Sequence, residues 1–170
     1  ARDFQMTFML DSGPTDAPVR LVLAHGAGAG IESPFMVAVA QLLSDRRLRV
    51  TRFEFQYMSA RREDGSRKPP PRAETLMAPY AELVGSISAG LRKGQLLAIG
   101  GKSLGGRVAS MIANETFAAG QISALVCLGY PFHPPGKPDA LRTTHLTMLK
   151  CPNLPPVPMP ERGRSRKPVA

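Results

Sequence analysis

The hexapeptide Gly101-Lys102-Ser103-Leu104-Gly105-Gly106 constrains this chain more than any other stretch. The apolar run Leu96-Leu97-Ala98-Ile99 leads straight into it, and Leu104, Val108, Met111 and Ile112 follow at helical spacing. A strand that turns at once into a helix leaves almost no room for side chains two positions before and two positions after the turn. Gly101 and Gly105 supply that room and lift Ser103 above the end of the strand. A serine presented in this way is a candidate nucleophile.

The same letters also spell the end of a phosphate-binding loop, which requires a further glycine where this chain has Leu96. The residues before Gly101 read as strand, so no glycine-rich loop is there to wrap a phosphate. The segment therefore reads as strand, serine turn and helix.

With 170 residues, the chain is long enough for one domain with a sizeable core. Its net charge of +9 raises the question of a nucleic-acid partner. The basic surplus is concentrated in two proline-containing stretches. Residues 61–72 hold five basic and two acidic side chains, and residues 151–170 hold four and one. Solvated segments therefore explain the charge, and tryptophan, a base-stacking platform, is absent. No specific nucleic-acid partner is expected. No apolar run approaches the ~18 residues of a membrane span, and the first residues lack a basic-then-apolar leader, so no membrane partner is expected either. Two cysteines, Cys127 and Cys151, give no disulfide framework and fit a reducing cytoplasm.

In chain order, Phe4–Leu10 reads as an edge strand closed by the turn Asp11-Ser12-Gly13-Pro14. Val19–Leu23 reads as a central strand. His25-Gly26-Ala27-Gly28-Ala29-Gly30 then forms a loop of small residues, and Ser33-Pro34 caps a helix whose stripe is Met36, Val39 and Leu43. Leu48–Phe55 is the next strand and Tyr57–Arg72 a loop. Leu76, Tyr80, Leu83, Val84, Ile87 and Leu91 mark a helix that Pro79 kinks or delays to near Ala78, with Gly94 as its end. After the serine turn and its helix, Gly120 is a stop and Ile122–Leu128 a buried strand. It leads into the rigid loop Gly129-Tyr130-Pro131-Phe132-His133-Pro134-Pro135-Gly136.

Strands alternating with helices predict an α/β fold, a mainly parallel sheet with helices on both faces. Ligands of such sheets bind at the carboxyl ends of the strands. There the 25–30 loop, the serine turn and the 129–136 loop converge. For ester or amide hydrolysis Ser103 is the nucleophile. The Leu104 N–H and that of Gly26 or Ala27 are the donors for the developing oxyanion. His25, Gly28, Lys102 and Tyr130 are candidate substrate contacts.

The segments LVLAHGAGAG, SPFM, FEFQYM, IGGKSLGGRVASMIA and LVCLGYPFHPPGKPDALRTTHL resemble one branch of the alpha/beta-hydrolase superfamily. That branch includes testis-expressed protein 30, the third regulatory subunit of the NSL histone-acetyltransferase complex, and short bacterial hydrolase-like proteins. The likeness runs from Val19 to Lys150, a hydrolase-like domain set at 1–150. It implies an alpha/beta-hydrolase fold, Ser103 at the nucleophile position, the 25–30 loop at the oxyanion position and no cofactor, while substrates in the branch are poorly defined. The serine-hydrolase reading expects a small ester or amide substrate and no metal. Some members of the branch are complex subunits, so a non-catalytic binding module is the alternative.

A serine nucleophile needs a histidine base oriented by a carboxylate, and in this superfamily both follow the serine. Here the likeness stops at Lys150. The tail CPNLPPVPMPERGRSRKPVA contains neither Asp nor His and is too proline-rich for a central strand, so 151–170 reads as disordered. The C-terminal strands are then missing, as in a truncated or frameshifted member of the branch. His133 is the base candidate within the chain, with His145 behind it and Asp139 as a carboxylate that could orient either. His25 is better suited to shaping its loop. The edge of Ile122–Leu128 would be left open, inviting self-association.

Overall fold

The computed structural model describes residues 8–65 and 69–153. Five strands form one sheet: β1 (Met9–Ser12), β2 (Val19–Ala24), β3 (Arg49–Phe53), β4 (Leu96–Lys102) and β5 (Ala124–Leu128). Their order is β1-β3-β2-β4-β5. β1 is antiparallel to β3 and every other pair is parallel. The helices are α1 (Pro34–Ser44), α2 (Gln56–Asp64), α3 (Met77–Ala89) and α4 (Leu104–Ala118).

Alternating side chains of β2 point to opposite faces, as a strand requires. Leu21 and Leu23 join Met36 and Ala40 of α1 and Val50 of β3 in one core. Val22 and Ala24 join the larger core, which α3 and α4 close with Tyr80, Val84, Val108 and Ile112. The expected mainly parallel sheet with helices on both faces is the observed one. Tyr80 ties its centre together. Its buried hydroxyl accepts the Gly100 N–H (3.1 Å) and lies 2.9 Å from the Val22 carbonyl and 2.7 Å from that of Gly100.

Several expected boundaries move. Most of the Phe4–Leu10 strand falls outside the described residues, and β1 continues through Asp11 and Ser12, where a turn was expected. Asp11 is held in the strand by Thr51, Arg20 and Arg49, which all donate to its carboxylate. The Tyr57–Arg72 loop contains a helix, α2, ended by Gly65 in the left-handed conformation at φ 68°. Arg61 and Arg62 in its last turn suit the negative end of the helix dipole. These two cations therefore sit on a folded helix and not in a solvated loop. Ser33 stands at the start of α1, but its side chain makes no capping bond; Pro34 alone sets that start. Pro79 lies in the first turn of α3, preceded by a 3-10 turn at Ala73–Leu76, and α3 ends at Ala89 before Gly90 and not at Gly94.

After β5 the chain folds back over α4. Asn114 of α4 donates to the Met148 carbonyl and accepts the Lys150 N–H, both at 2.8 Å. The described chain then meets the outer edge of β5. Cys151 is buried, the Leu125 N–H donates to the Pro152 carbonyl (2.9 Å), and Asn153 forms a parallel bridge with Leu125. That edge is thus occupied at one residue. The expected disordered tail 151–170 thus begins with three residues set against β5, and from 154 onward it lies outside the described residues.

Candidate active site

Ser103 sits between the last residue of β4 and the first of α4 with φ 50° and ψ −111°, a backbone region that L residues rarely adopt. It is half-buried, and its N–H donates to the Leu128 carbonyl at 2.9 Å, tying the turn to the end of β5. The flanking glycines are required by contact. A methyl group on Gly101 would stand 2.4 Å from the Gly105 carbonyl carbon. One on Gly105 would stand 2.5 Å from the His25 carbonyl oxygen and 2.7 Å from that of Ala24. The first turn of α4 therefore rests directly on the backbone of β2 and β4. Leu104 opens α4, where N–H groups have no partner within the helix and the dipole favours negative charge.

β2 lies beside β4, with Ala24 paired to Gly101, so the 25–30 loop emerges next to Ser103. Gly26 abuts the turn: a methyl group there would lie 3.5 Å from the Lys102 carbonyl oxygen and 3.8 Å from Ser103 Cβ. His25 is fully buried. Its Nε2 accepts the Phe55 N–H (3.1 Å), so the proton is on Nδ1, which donates to the Gly26 carbonyl at 2.6 Å. Burial holds this imidazole below its ordinary pKa and keeps it neutral. His25 thus lies behind the loop as scaffolding, and the expected substrate contact is corrected because both ring nitrogens are engaged in the interior.

Tyr130 is corrected in the same way. It is buried and its hydroxyl donates to the Arg142 carbonyl (2.9 Å), so it supports the 129–142 loop from beneath. Lys102 is half-buried with Nζ 4.6 Å from the centre of the Phe35 ring on α1. Gly28 faces open space and lines an open cleft of about 690 Å³ with Gly30, Glu54, Met58, Arg61 and Arg62. The walls of that cleft do not include Ser103.

Among the described residues, no histidine hydrogen-bonds the Ser103 hydroxyl. His133 is exposed, with Nδ1 3.0 Å from the Pro134 carbonyl oxygen. His145 Nε2 is 2.8 Å from Ser110 Oγ. Ser110 is two turns along α4 from Ser103, about 10 Å of helix rise. Burial and then Arg107 hold the His145 imidazole below its ordinary value. No grouping of His, Cys, Asp or Glu among the described residues has the makings of a metal site.

Two site residues escaped the sequence reading, Tyr57 and Arg61. The Tyr57 hydroxyl lies 3.4 Å from the carbonyl oxygens of both Gly26 and Ala27, and Arg61 Nη1 donates to that of Ala27 at 3.2 Å. Burial raises the Tyr57 phenol to about 12. Their spacing of four residues, one turn of helix, was the available signal.

A parallel sheet with an antiparallel first strand, a strained serine after β4 and a glycine loop after β2 define a protein of the α/β-hydrolase class. Solved structures share this fold. Dienelactone hydrolase from Anabaena variabilis superposes with a TM-score of 0.65 at 18% identity, covering 87% of this chain and 71% of that one. Est1E from Butyrivibrio proteoclasticus, solved with ferulic acid bound, gives 0.55 at 17%, covering 73% and 49%. The monoacylglycerol lipase of Paleococcus ferrophilus gives 0.54 at 20%, covering 78% and 46%. The chain thus spans about half the length of these last two proteins. No curated protein sequence matches it. The model of the alpha/beta hydrolase domain matches residues 17–155, and the chain belongs to that family.

Proposed function

We propose that the chain is a serine hydrolase of esterase type, with Ser103 as its nucleophile. The observation that carries this reading is the Ser103 backbone, held at φ 50° between β4 and α4 with Gly26 against it. Ser103 Oγ attacks the carbonyl carbon of a small ester or amide, and the hydroxyl proton leaves to solvent or to a base. The carbonyl oxygen takes the negative charge and is met by the Leu104 N–H and an N–H of the 26–27 loop. Collapse expels the alcohol or amine, and water then releases the acid from Ser103.

The engagement of His25, His133 and His145 elsewhere favours a second reading, a non-catalytic binding or complex-subunit module. Without a base, oxyanion stabilisation and binding leave a residual rate of about 10³–10⁴ over water. A fluorophosphonate probe separates the two. The esterase reading expects labelling of the protein and none of Ser103→Ala, whereas an unlabelled wild type sustains the module.

The motifs GGKSLGGR and GYPFHPPGKP support membership of the branch containing testis-expressed protein 30. Two free, buried thiols, Cys127 and Cys151, agree with a reducing cytoplasm. Self-association through β5 is part of the same reading, since Asn153 bridges it at Leu125 alone among the described residues. A single monomeric species in sedimentation at high concentration would refute it.

A further inference from the structure

We propose that Tyr57 and Arg61 of α2 are positioning residues that fix the direction of the 26–27 and 27–28 peptides, so that the Ala27 and Gly28 N–H groups face the Ser103 side of the loop. This rests on the reading of Ser103 as nucleophile and identifies which loop amides meet the oxyanion.

No cis peptide bond occurs among the described residues, and in a trans peptide the carbonyl and N–H point in opposite directions. The Gly26 carbonyl is drawn to His25 Nδ1–H (2.6 Å) and the Tyr57 hydroxyl (3.4 Å). The Ala27 carbonyl accepts from Arg61 Nη1 (3.2 Å) and shares with the Gly26 carbonyl the single hydrogen of the Tyr57 hydroxyl (3.4 Å). Both carbonyls are therefore held toward α2 and the buried histidine. The partner amides, on Ala27 and Gly28, point the other way. The serine turn borders the loop at Gly26, where an added methyl group would lie 3.5 Å from the Lys102 carbonyl oxygen and 3.8 Å from Ser103 Cβ.

The restraint is needed because of the loop's composition. Glycine at 26, 28 and 30 lets peptides flip at little steric cost. A flipped 26–27 peptide would aim a carbonyl oxygen at the oxyanion position and repel it. Each clamp bond is long and individually weak, but the Arg61 guanidinium also stacks over the Tyr57 ring, 5.2 Å from its centre, so the two act together. His25 holds one carbonyl from inside, and α2 holds both from outside.

The test compares the wild type with Tyr57→Phe, Arg61→Met and the double variant. Two readouts are used: fluorophosphonate labelling rate, and loop peptide orientation in crystal structures. Losing one oxyanion donor costs about 10²–10³ in rate, so partial misorientation is expected to slow labelling by roughly tenfold in each single variant. Arg61→Lys, which retains a donor, should recover part of the loss, and ester KM should stay constant while kcat falls. The double variant should show a flipped 26–27 or 27–28 peptide. Unchanged peptides with unchanged labelling would overturn the inference. An unlabelled wild type would remove the nucleophile reading by itself; the peptide orientation in the double variant would still decide the clamp. Should the double variant fail to fold, Tyr57→Phe, which keeps the ring under Arg61, decides by the same two readouts.

Discussion

Gly105→Ala tests the packing on which the whole site rests. By helix propensity alone the change should help, since Gly105 lies inside α4 and alanine is favoured over glycine there by about 1 kcal/mol. The structure predicts the opposite sign. The new methyl group would sit 2.5 Å from the His25 carbonyl oxygen, 2.7 Å from that of Ala24 and 2.8 Å from the Ala24 carbonyl carbon. Ordinary contact begins at 3.4 Å, so α4 and the end of β2 must separate by close to 1 Å. The obstructing atoms are backbone at and just past the end of a strand paired on both sides, and they cannot swing away as a side-chain end would. Overpacking of this kind costs about 1–3 kcal/mol or more. With the propensity gain of about 1 kcal/mol subtracted from the upper part of that range, where contacts as short as these belong, a net loss of about 1–2 kcal/mol is expected, or roughly 2–8 °C in Tm for a domain of this size. Gly28→Ala is the control, because a methyl group there meets nothing within 4 Å. Thermal melts by circular dichroism decide the matter. A Gly105→Ala protein as stable as Gly28→Ala, or more so, would refute the claim that helix and sheet meet backbone to backbone at the serine turn.

Tyr80→Phe removes the hydroxyl that serves Gly100 and Val22 at the sheet centre and leaves buried backbone groups without a partner, a loss of about 1–3 kcal/mol in urea unfolding; an unchanged midpoint would show that these groups find other partners. Stability should also fall on acidification. Burial holds His25 below the 6.5 at which the unfolded chain takes up its proton, so between those two values unfolding binds a proton. The contribution is complete above pH 6.5 and is lost as pH falls through the lower folded value; His145 acts with the same sign. Urea midpoints at about pH 7.5 and about pH 5.5 measure this, with a shallower dependence expected in His25→Asn, and a midpoint that rises on acidification would contradict it.

The serine turn was readable because its constraint is steric and local. Glycines at fixed offsets, an apolar run before and a helical stripe after leave few alternatives. α2 was not readable. Met58 is its single buried residue, and its charged residues look like those of a solvated loop. What makes it a helix on the site is its docking against the 25–30 loop through Tyr57 and Arg61, a tertiary fact. The histidines were ambiguous for the same reason. His25 stands next to the glycines in sequence, but its removal from the substrate side depends on the Phe55 N–H, thirty residues away. His145 could be separated from Ser103 only once Ser110 was seen to hold it.

Those contacts also explain how a serine is kept in a conformation suited to glycine. A non-glycine residue held in a sparsely populated backbone region costs about 1–3 kcal/mol, and it persists only where its surroundings over-determine it. Here the surroundings are the Leu128 carbonyl on the Ser103 N–H, the four-glycine packing of 100, 101, 105 and 106, and the start of α4. The strain belongs to the side chain, so its removal can be measured against a matched variant. Ser103→Ala loses the hydroxyl and keeps the Cβ, whereas Ser103→Gly loses both. Relief of strain should exceed the chain entropy of glycine, about 0.5–1 kcal/mol. Ser103→Gly should therefore be more stable than Ser103→Ala by about 1 kcal/mol, with neither labelled by the probe. If alanine proves the more stable of the two, residue 103 carries no strain, and the geometry that marks it as a nucleophile is wrong.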